Sequence, residues 1–305
     1  MIELQRKLIG DTVRNAAFEK ALKKAVKRGD IVIDLGSGTG FLAFLASRLG
    51  AKSVTLIESG DILDVSKKLA ARNKIKNLTF IKKHSTLVRS IPKCDVLVSE
   101  TLGNYALEEN IIESVEDGKR FLKIGGIIIP GKITQFVAPV TSDRLKNDID
   151  VWNDVGFEMA FDEAREISLN NMYVKTIRPD DLLKGGTQEW DSIDFAKKNK
   201  SIRTKTVMWN DAPAIHGFAL WWDAELVPGI HLSTAPDATA THWEQIYLPL
   251  LTSAKAPKGG KVALTITSDS RYDVKINLSW NVRVTDASGK ILSDQTLDMS
   301  RGYIG

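Results

Sequence analysis

The hydrophobic and polar positions follow one rhythm up to Pro130 and a different one after it. In the first part, short apolar runs alternate with longer stretches in which apolar residues recur at helical spacing. The predicted strands are DIVIDLG, SVTLIES, NLTFIKK, CDVLVSE and GGIIIP, and the predicted helices include FLAFLASRLG and ILDVSKKLAARNK. This alternation is typical of right-handed crossovers in a parallel sheet. We therefore expect a Rossmann-like, doubly wound α/β domain over residues 1–130.

Beyond Pro130 the apolar residues mostly alternate with polar ones, as they do in half-buried strands. The clearest runs are ITQFVAPV, HGFALWWDAEL, WEQIYLPL, KVALTITSD and VKINLSWNVRV, and all seven tryptophans lie in this part. We expect an antiparallel β-barrel domain over residues 131–305. Residues 163–200 are less regular, and we expect them to protrude from the barrel as an arm with short helices of its own.

Composition narrows the class of protein without defining its chemistry. The chain has 305 residues with a net charge of +4, which is too mild to favour direct nucleic-acid binding, so a basic partner needs a local acidic site. The single cysteine, Cys94, excludes an intramolecular disulfide, favours a cytoplasmic location and reads as a core residue. No apolar stretch approaches the length of a membrane span, and the scattered histidines give no metal-ligand spacing.

A glycine-rich turn follows the first predicted strand. In IVIDLGSGTGF the glycines stand at Gly36, Gly38 and Gly40, where they permit a tight turn and a close approach of a ligand to the backbone. The dinucleotide fingerprint needs its third glycine where Phe41 stands, which disfavours NAD, and the absence of GK[ST] excludes a P-loop.

Two acids accompany this turn. Asp34 precedes it, and Glu58 ends the next strand, where a carboxylate is placed to accept hydrogen bonds from both hydroxyls of a ribose. This combination resembles the S-adenosylmethionine-dependent methyltransferases. The alternative interpretation is a simple strand-to-helix turn with Glu58 solvated at a sheet edge.

A second acidic pair stands in SETLGNYALEE, where Glu100 and Glu109 are nine residues apart after a strand. This stretch resembles the double-glutamate loop of the protein arginine methyltransferase family. STAPDATATHWEQ is similar to that family's threonine-histidine-tryptophan loop at Thr241, His242 and Trp243, and QRKLIGDTVR is similar to its first helix. The resemblance covers nearly the whole chain.

The resemblance implies roles for single residues. Arg14 is expected to pair with the carboxylate of S-adenosylmethionine, and Glu58 with its ribose. Near the adenine, the family's usual acid has no clear match, and Ser85 or Thr86 lies nearest. The family's aromatic Y-F-x-x-Y segment also has no counterpart here, and whether a partner supplies it stays open.

At the other end of the site, Glu100 and Glu109 are expected to bind the guanidinium of an arginine-containing protein or peptide. His242 is expected to pair with Asp11, and Trp243 to wall the substrate pocket. The resemblance also implies a homodimer formed through residues 163–200.

Elementary chemistry also supports the binding of a guanidinium by these two acids. A guanidinium stays protonated, and its planar N–H donors match carboxylates two at a time. Holding it in line with an activated methyl group is worth up to roughly 7–11 kcal/mol of the barrier. The proton must then leave, and Glu109 and the Asp11–His242 pair both stay open as its acceptor.

Other interpretations stay open. Acids at the start of a helix are favoured by its dipole, so Glu109 has a structural interpretation, and a lone loop histidine such as His242 is usually a polar residue without chemistry. Thr101 and Leu102 depart from the family's usual tryptophan and methionine. A methyltransferase for a small guanidine or amine and a catalytically weak cofactor-binding scaffold are the two rival functions.

Overall fold

A computed structural model describes residues 2–302; residue 1 and residues 303–305, at the ends of the two expected domains, lie outside the described residues. The first domain begins with two helices and continues with alternating strands and helices. Its helices are α1 (Ile2–Gly10), α2 (Thr12–Ala25), α3 (Phe41–Arg48), α4 (Ile62–Arg72) and α5 (Ile111–Gly118). Its strands are β1 (Ile31–Leu35), β2 (Ser53–Glu58), β3 (Leu78–Lys82), β4 (Cys94–Ser99) and β5 (Leu122–Ile129).

These five strands form one parallel sheet in the order β3-β2-β1-β4-β5. The strand order reverses at β1, so the carboxyl ends of β1 and β4 flank the crevice in which open α/β sheets bind ligands. The Rossmann-like prediction is thereby confirmed. Cys94 is fully buried beside Ile33 and Leu97, and burial raises the pKa of its thiol to about 12, as expected of a core cysteine.

The second domain begins with β6 and is built from antiparallel strands in two sheets. They are β6 (Lys132–Val140), β7 (Tyr173–Lys175), β8 (Gln188–Asp194), β9 (Ile202–Asn210), β10 (Ile215–Val227), β11 (Ile230–Ser233), β12 (Gln245–Ala254), β13 (Lys261–Asp269), β14 (Asn277–Thr285) and β15 (Ile291–Asp298). One sheet has the order β7-β12-β10-β6-β8 with β11 beside β10, and the other has the order β15-β14-β13-β9. All of these pairings are antiparallel, which confirms the predicted architecture, and Trp190, Trp222 and Trp280 are fully buried in the domain.

Residues 163–200 do not form a single protruding arm, because much of this range belongs to the barrel. Within it, β7 pairs with β12 and β8 pairs with β6. The exposed segment lies earlier, at residues 151–161, between α6 (Asp143–Ile149) and α7 (Asp162–Leu169). The expectation was misplaced because β8 reads QEWDSID, whose polar residues hide the strand signal although Trp190 and Ile193 point into the core.

Within residues 2–302, no helix is long and apolar enough to cross a membrane.

Candidate active site

The carboxyl ends of the parallel strands open into a cavity of about 530 Å³, within the usual range for a small-molecule site. Its walls come from both domains, and helix α1 of the first domain contributes one of them. Most of the residues singled out in the sequence line it: Arg14, Asp34, Gly36, Gly38, Glu58, Ser85, Glu100, Glu109, His242 and Trp243. Positions far apart in the chain therefore meet in one chamber.

The glycine turn forms the floor of this cavity next to β1. Gly36 has a φ of +67° and Gly38 a φ of +50°, in the left-handed region that side chains other than glycine disfavour. A Cβ at Gly38 would lie 2.9 Å from the side chain of Gln5 in α1, whose Oε1 accepts from the Thr39 N–H. Helix α1 therefore lies directly over the turn and closes that side of the cavity.

Gly40 and Thr86 serve other purposes than the expected cofactor contacts. Gly40 precedes α3 and does not line the cavity, and a Cβ there would collide with Ser66 and Phe44, so its smallness serves packing. Ser85 lines the cavity, but a single helical turn directs Thr86 outward, where its hydroxyl bonds to His84 Nδ1 at 2.8 Å.

The two acids near the glycine turn hold it in different ways. Glu58 Oε2 accepts from the Gly38 N–H at 3.0 Å, and its Oε1 accepts from the Gly60 N–H at 2.7 Å. Asp34 accepts from the Ala43 N–H at 3.1 Å, which ties β1 to α3. Burial raises the pKa of Asp34 to about 8, opposed by the Ala43 N–H and the charge of Arg14.

One buried hydroxyl on the floor indicates a polar ligand. Ser37 Oγ is buried, and it has no hydrogen-bond partner within the described part of the chain. Buried hydroxyls are nearly always hydrogen-bonded, so this oxygen suits a ligand that brings its own polar groups. The floor therefore fits the ribose and amino-acid parts of S-adenosylmethionine.

Arg14 and Glu100 form a buried ion pair at the centre of the site. Arg14 Nε donates to Glu100 Oε2 at 2.8 Å, Nη2 donates to the same oxygen, and the two side chains are only 6% and 5% exposed. The Leu102 N–H donates to Glu100 Oε1 at 3.3 Å. The family resemblance implied a separate ligand for each of these residues, whereas the structure joins them to each other.

Glu109 is exposed to the cavity and, among residues 2–302, has no ion-pair partner. The protein around it removes water, and the negative charges of Glu100 and Glu108 add to this effect, so the pKa of Glu109 rises to about 7. A carboxylate in this state is poised to take up a cation or a proton near neutral pH.

The expected contact between Asp11 and His242 is present and joins the two domains. His242 Nδ1 lies 2.7 Å from Asp11 Oδ2, and the His242 N–H donates to the same oxygen at 2.8 Å. Asp11 Oδ1 also accepts from the Arg14 N–H at 2.8 Å and so caps α2. Burial acts to raise the pKa of Asp11, but the hydrogen bonds from Arg14 and His242 outweigh it and lower that pKa. The residue stays ionised beside the imidazole.

The double-glutamate loop is held by hydrogen bonds from the second domain. Trp243 Nε1 donates to the Leu102 carbonyl at 2.8 Å, and Trp222 Nε1 donates to the Gly103 carbonyl at 3.0 Å. Asn104 Oδ1 accepts from the Glu244 N–H at 2.9 Å. Sequence reasoning missed Trp222 and Asn104 in this role. The one available signal was the doubled tryptophan in HGFALWWDAEL, which reads equally well as core.

The fold and this site define a two-domain methyltransferase. The profile of the arginine methyltransferase oligomerization subdomain matches residues 132–285, about half of the chain. The profile of the ribosomal protein L11 methyltransferase matches residues 18–150. The chain belongs to the protein arginine N-methyltransferase family.

Named relatives agree with this assignment, and a solved structure agrees with the fold. The probable protein arginine N-methyltransferase 6.1 of Oryza sativa subsp. indica is 30% identical over 291 residues, covering 81% of this chain and 76% of the relative. Protein arginine N-methyltransferase 1 of Dictyostelium discoideum is 27% identical over 303 residues, covering 91% and 86%. The Trypanosoma brucei PRMT1 enzyme-prozyme heterotetrameric complex with AdoHcy has a similar fold, with a TM-score of 0.86 at 18% identity, covering 97% of this chain and 98% of that one.

Proposed function

We propose that this protein transfers a methyl group from S-adenosylmethionine to a guanidino nitrogen of arginine in a protein or peptide. The observation that carries the proposal is the convergence of Glu100 and Glu109 on one cavity with the glycine turn. Membership of the arginine methyltransferase family and the names of the relatives support the same activity.

The cofactor's parts have matching groups along the cavity. Glu58 is placed for the ribose hydroxyls at the end of β2, and the Arg14 guanidinium is the cation for the amino-acid carboxylate. Ser37 Oγ, which has no hydrogen-bond partner within residues 2–302, offers a hydroxyl. The bound cofactor supplies an electrophilic methyl group on a sulfonium, and every other task falls to the protein.

The two glutamates bind and orient the substrate. A guanidinium between two carboxylates is held in one plane and has its charge biased toward the bound nitrogens, which leaves a terminal nitrogen free to face the methyl group. Pairing of Arg14 with the cofactor carboxylate competes with its pairing to Glu100, so cofactor binding frees Glu100 for the substrate. Glu109 and the Asp11–His242 pair both remain candidates to receive the proton that methylation releases.

The test is methyl transfer from isotope-labelled S-adenosylmethionine, read by mass spectrometry of the acceptor. We expect label on the guanidino group of an arginine-rich peptide and none on the same peptide with lysine at every arginine. Free arginine and a mixture of small guanidines form a third arm. If the small guanidines are labelled in preference to the peptide, the substrate is a small guanidine and the proposed substrate is wrong. If the protein binds the cofactor but transfers no methyl group, it is a cofactor-binding scaffold.

We further propose that the protein works as a homodimer in the cytoplasm, the location that the single buried Cys94 favours. The matched oligomerization subdomain includes residues 151–161, where Phe157 is 85% exposed and Met159 is 64% exposed. On the first domain, an apolar groove is lined by Ile9, Phe41, Phe44, Leu45 and Leu69. An exposed apolar segment and an apolar groove on the same chain suit a contact between two copies.

Replacing both Phe157 and Met159 by aspartate should convert the dimer to a monomer. The reason is that two charges would have to be buried against an apolar groove. Sedimentation velocity at micromolar concentration measures the change. The matched control is Met208→Asp on β9, which is 54% exposed outside the segment and should leave the dimer intact. A wild-type monomer, or a dimer that survives the double change, would contradict the proposal.

A further inference from the structure

Tyr272 belongs to the loop between β13 and β14 of the second domain, yet this loop is anchored on the first domain. The side-chain amide of Asn110 donates to the carbonyls of Ser270 and Lys275, at 2.5 and 2.9 Å. Ser270 Oγ donates to Glu113 Oε1 at 2.8 Å. The loop is thus fastened to the start of α5, immediately after the double-glutamate loop.

The Tyr272 side chain reaches the cavity from this anchored loop. Its ring meets His84 edge to face, with the ring centres 5.0 Å apart, and its hydroxyl lies 3.4 Å from Ser114 Oγ. Tyr272, His84, Ser85 and Ser114 all line the cavity. Burial raises the pKa of Tyr272, while the hydroxyls of Ser114 and Ser85 act in the opposite direction. The phenol therefore stays neutral and can both donate and accept a hydrogen bond.

The strand order places these residues at the end of the cavity away from the substrate acids. Glu100 follows β4, the glycine turn follows β1, Glu58 ends β2, and Ser85 follows β3, in the order in which these strands lie in the sheet. Neighbouring strands are about 4.8 Å apart, so the ends of β3 and β4 are separated by about 14 Å. A nucleoside whose ribose lies at Glu58 and whose sulfur lies toward Glu100 has its base on the β3 side.

We propose that Tyr272, a residue of the second domain, completes the adenine subsite formed by His84, Ser85 and Ser114, so that the second domain contributes directly to cofactor recognition. This inference rests on the proposed function. Adenine presents an amine donor, ring-nitrogen acceptors and a flat π face. Three hydroxyls and two aromatic rings offer complementary groups for each of these. Three of the four residues follow β3 or lie in α5, and Tyr272 completes the wall from the other domain.

The subsite joins the two domains beside the substrate acid. Tyr272 sits on the loop that holds Asn110 and Glu113, next to Glu109. Adenine bound against the Tyr272 ring therefore contacts the same hairpin of the second domain that is fastened to the start of α5.

The test is calorimetric binding of S-adenosylhomocysteine and of its inosine analogue, in which a carbonyl replaces the exocyclic amine. For Tyr272→Ala we expect affinity for S-adenosylhomocysteine to fall about tenfold or more, as for other losses of base–aromatic contact. For Tyr272→Phe we expect a fall of about three- to tenfold, the effect of one hydrogen bond. The preference for adenine over the inosine analogue should shrink in both variants.

The matched control is Arg271→Ala, one residue away in the same loop, whose side chain pairs with Asp269 and does not line the cavity. It should bind both ligands as the wild type does. Unchanged affinity and unchanged base preference in Tyr272→Ala would overturn the subsite while leaving the proposed function intact. A wild type that binds neither ligand would overturn the proposed function itself.

Discussion

Glutamine at Glu109 is expected to reduce methyl transfer to an arginine peptide by about 100-fold or more. The change keeps the shape of the side chain and removes the negative charge. Truncating one partner of a desolvated charge pair costs about 2–5 kcal/mol, and every 1.4 kcal/mol is tenfold. Among the residues that the structure describes, Glu109 faces the cavity and does not pair with a cation of the protein. The change should therefore weaken binding and methylation of the substrate and leave binding of S-adenosylhomocysteine nearly unchanged.

The pH dependence of kcat/KM is a second test of the role of Glu109. The pKa of Glu109 is raised to about 7, so in the free enzyme the carboxylate forms only as the pH passes that value. We expect kcat/KM to rise with pH to a plateau, with its midpoint near 7, because kcat/KM reports the ionisation of the free enzyme. Glu109→Gln should remove this ionisation from its residual activity.

The neighbouring acid provides the matched control. Glu108 lies beside Glu109, and its charge is one of the causes that raise the pKa of Glu109. Glu108→Gln should keep most of the activity and move the midpoint of the profile to lower pH. If Glu108→Gln abolishes transfer and Glu109→Gln does not, the two acids have been assigned in the wrong order.

The sequence predicted the helices and strands that can be recognised from their own residues. Buried runs such as DIVIDLG and CDVLVSE identified the parallel sheet, because strands covered on both faces are almost continuously apolar. Short or polar strands were missed: β9 reads IRTKTVMWN, and only Val207 and Trp209 are buried. Their place depends on which neighbour they pair with, and a local pattern does not carry that information.

The residues of the site also fall into a part that the sequence predicted and a part that it did not. Motifs predicted Glu58, Glu109 and His242, which line the cavity, because each stands at a strand end or in a recognisable loop. The contacts made by Tyr272 and Trp222 could not be predicted, since both cross between domains over more than 100 residues of sequence. The pairing of Arg14 with Glu100 could not be predicted either. A motif indicates which ligand a residue binds, but it does not indicate which protein groups that residue contacts when the ligand is absent.

Replacing Arg14 by methionine is expected to lower the free energy of unfolding by about 3–5 kcal/mol, because it leaves the Glu100 carboxylate buried without its partner. Both side chains of this pair are at most 6% exposed. Unfolding in urea followed by circular dichroism measures the loss. Arg283→Met is the control: Arg283 pairs with Asp294, but the side chains are 49% and 35% exposed, so less than about 1 kcal/mol should be lost.

The double variant Arg14→Met, Glu100→Leu separates what the pair does for the fold from what it does for the chemistry. Replacing both charges by apolar groups of similar size removes the unpaired carboxylate, so we expect most of the lost stability to return. Transfer should remain absent, because the groups proposed for the cofactor carboxylate and for the guanidinium are both gone. Equal losses for Arg14→Met and Arg283→Met would mean that the pair is not buried in solution. If the double variant is stable and inactive, the two charges are present for catalysis, since the fold does not require them.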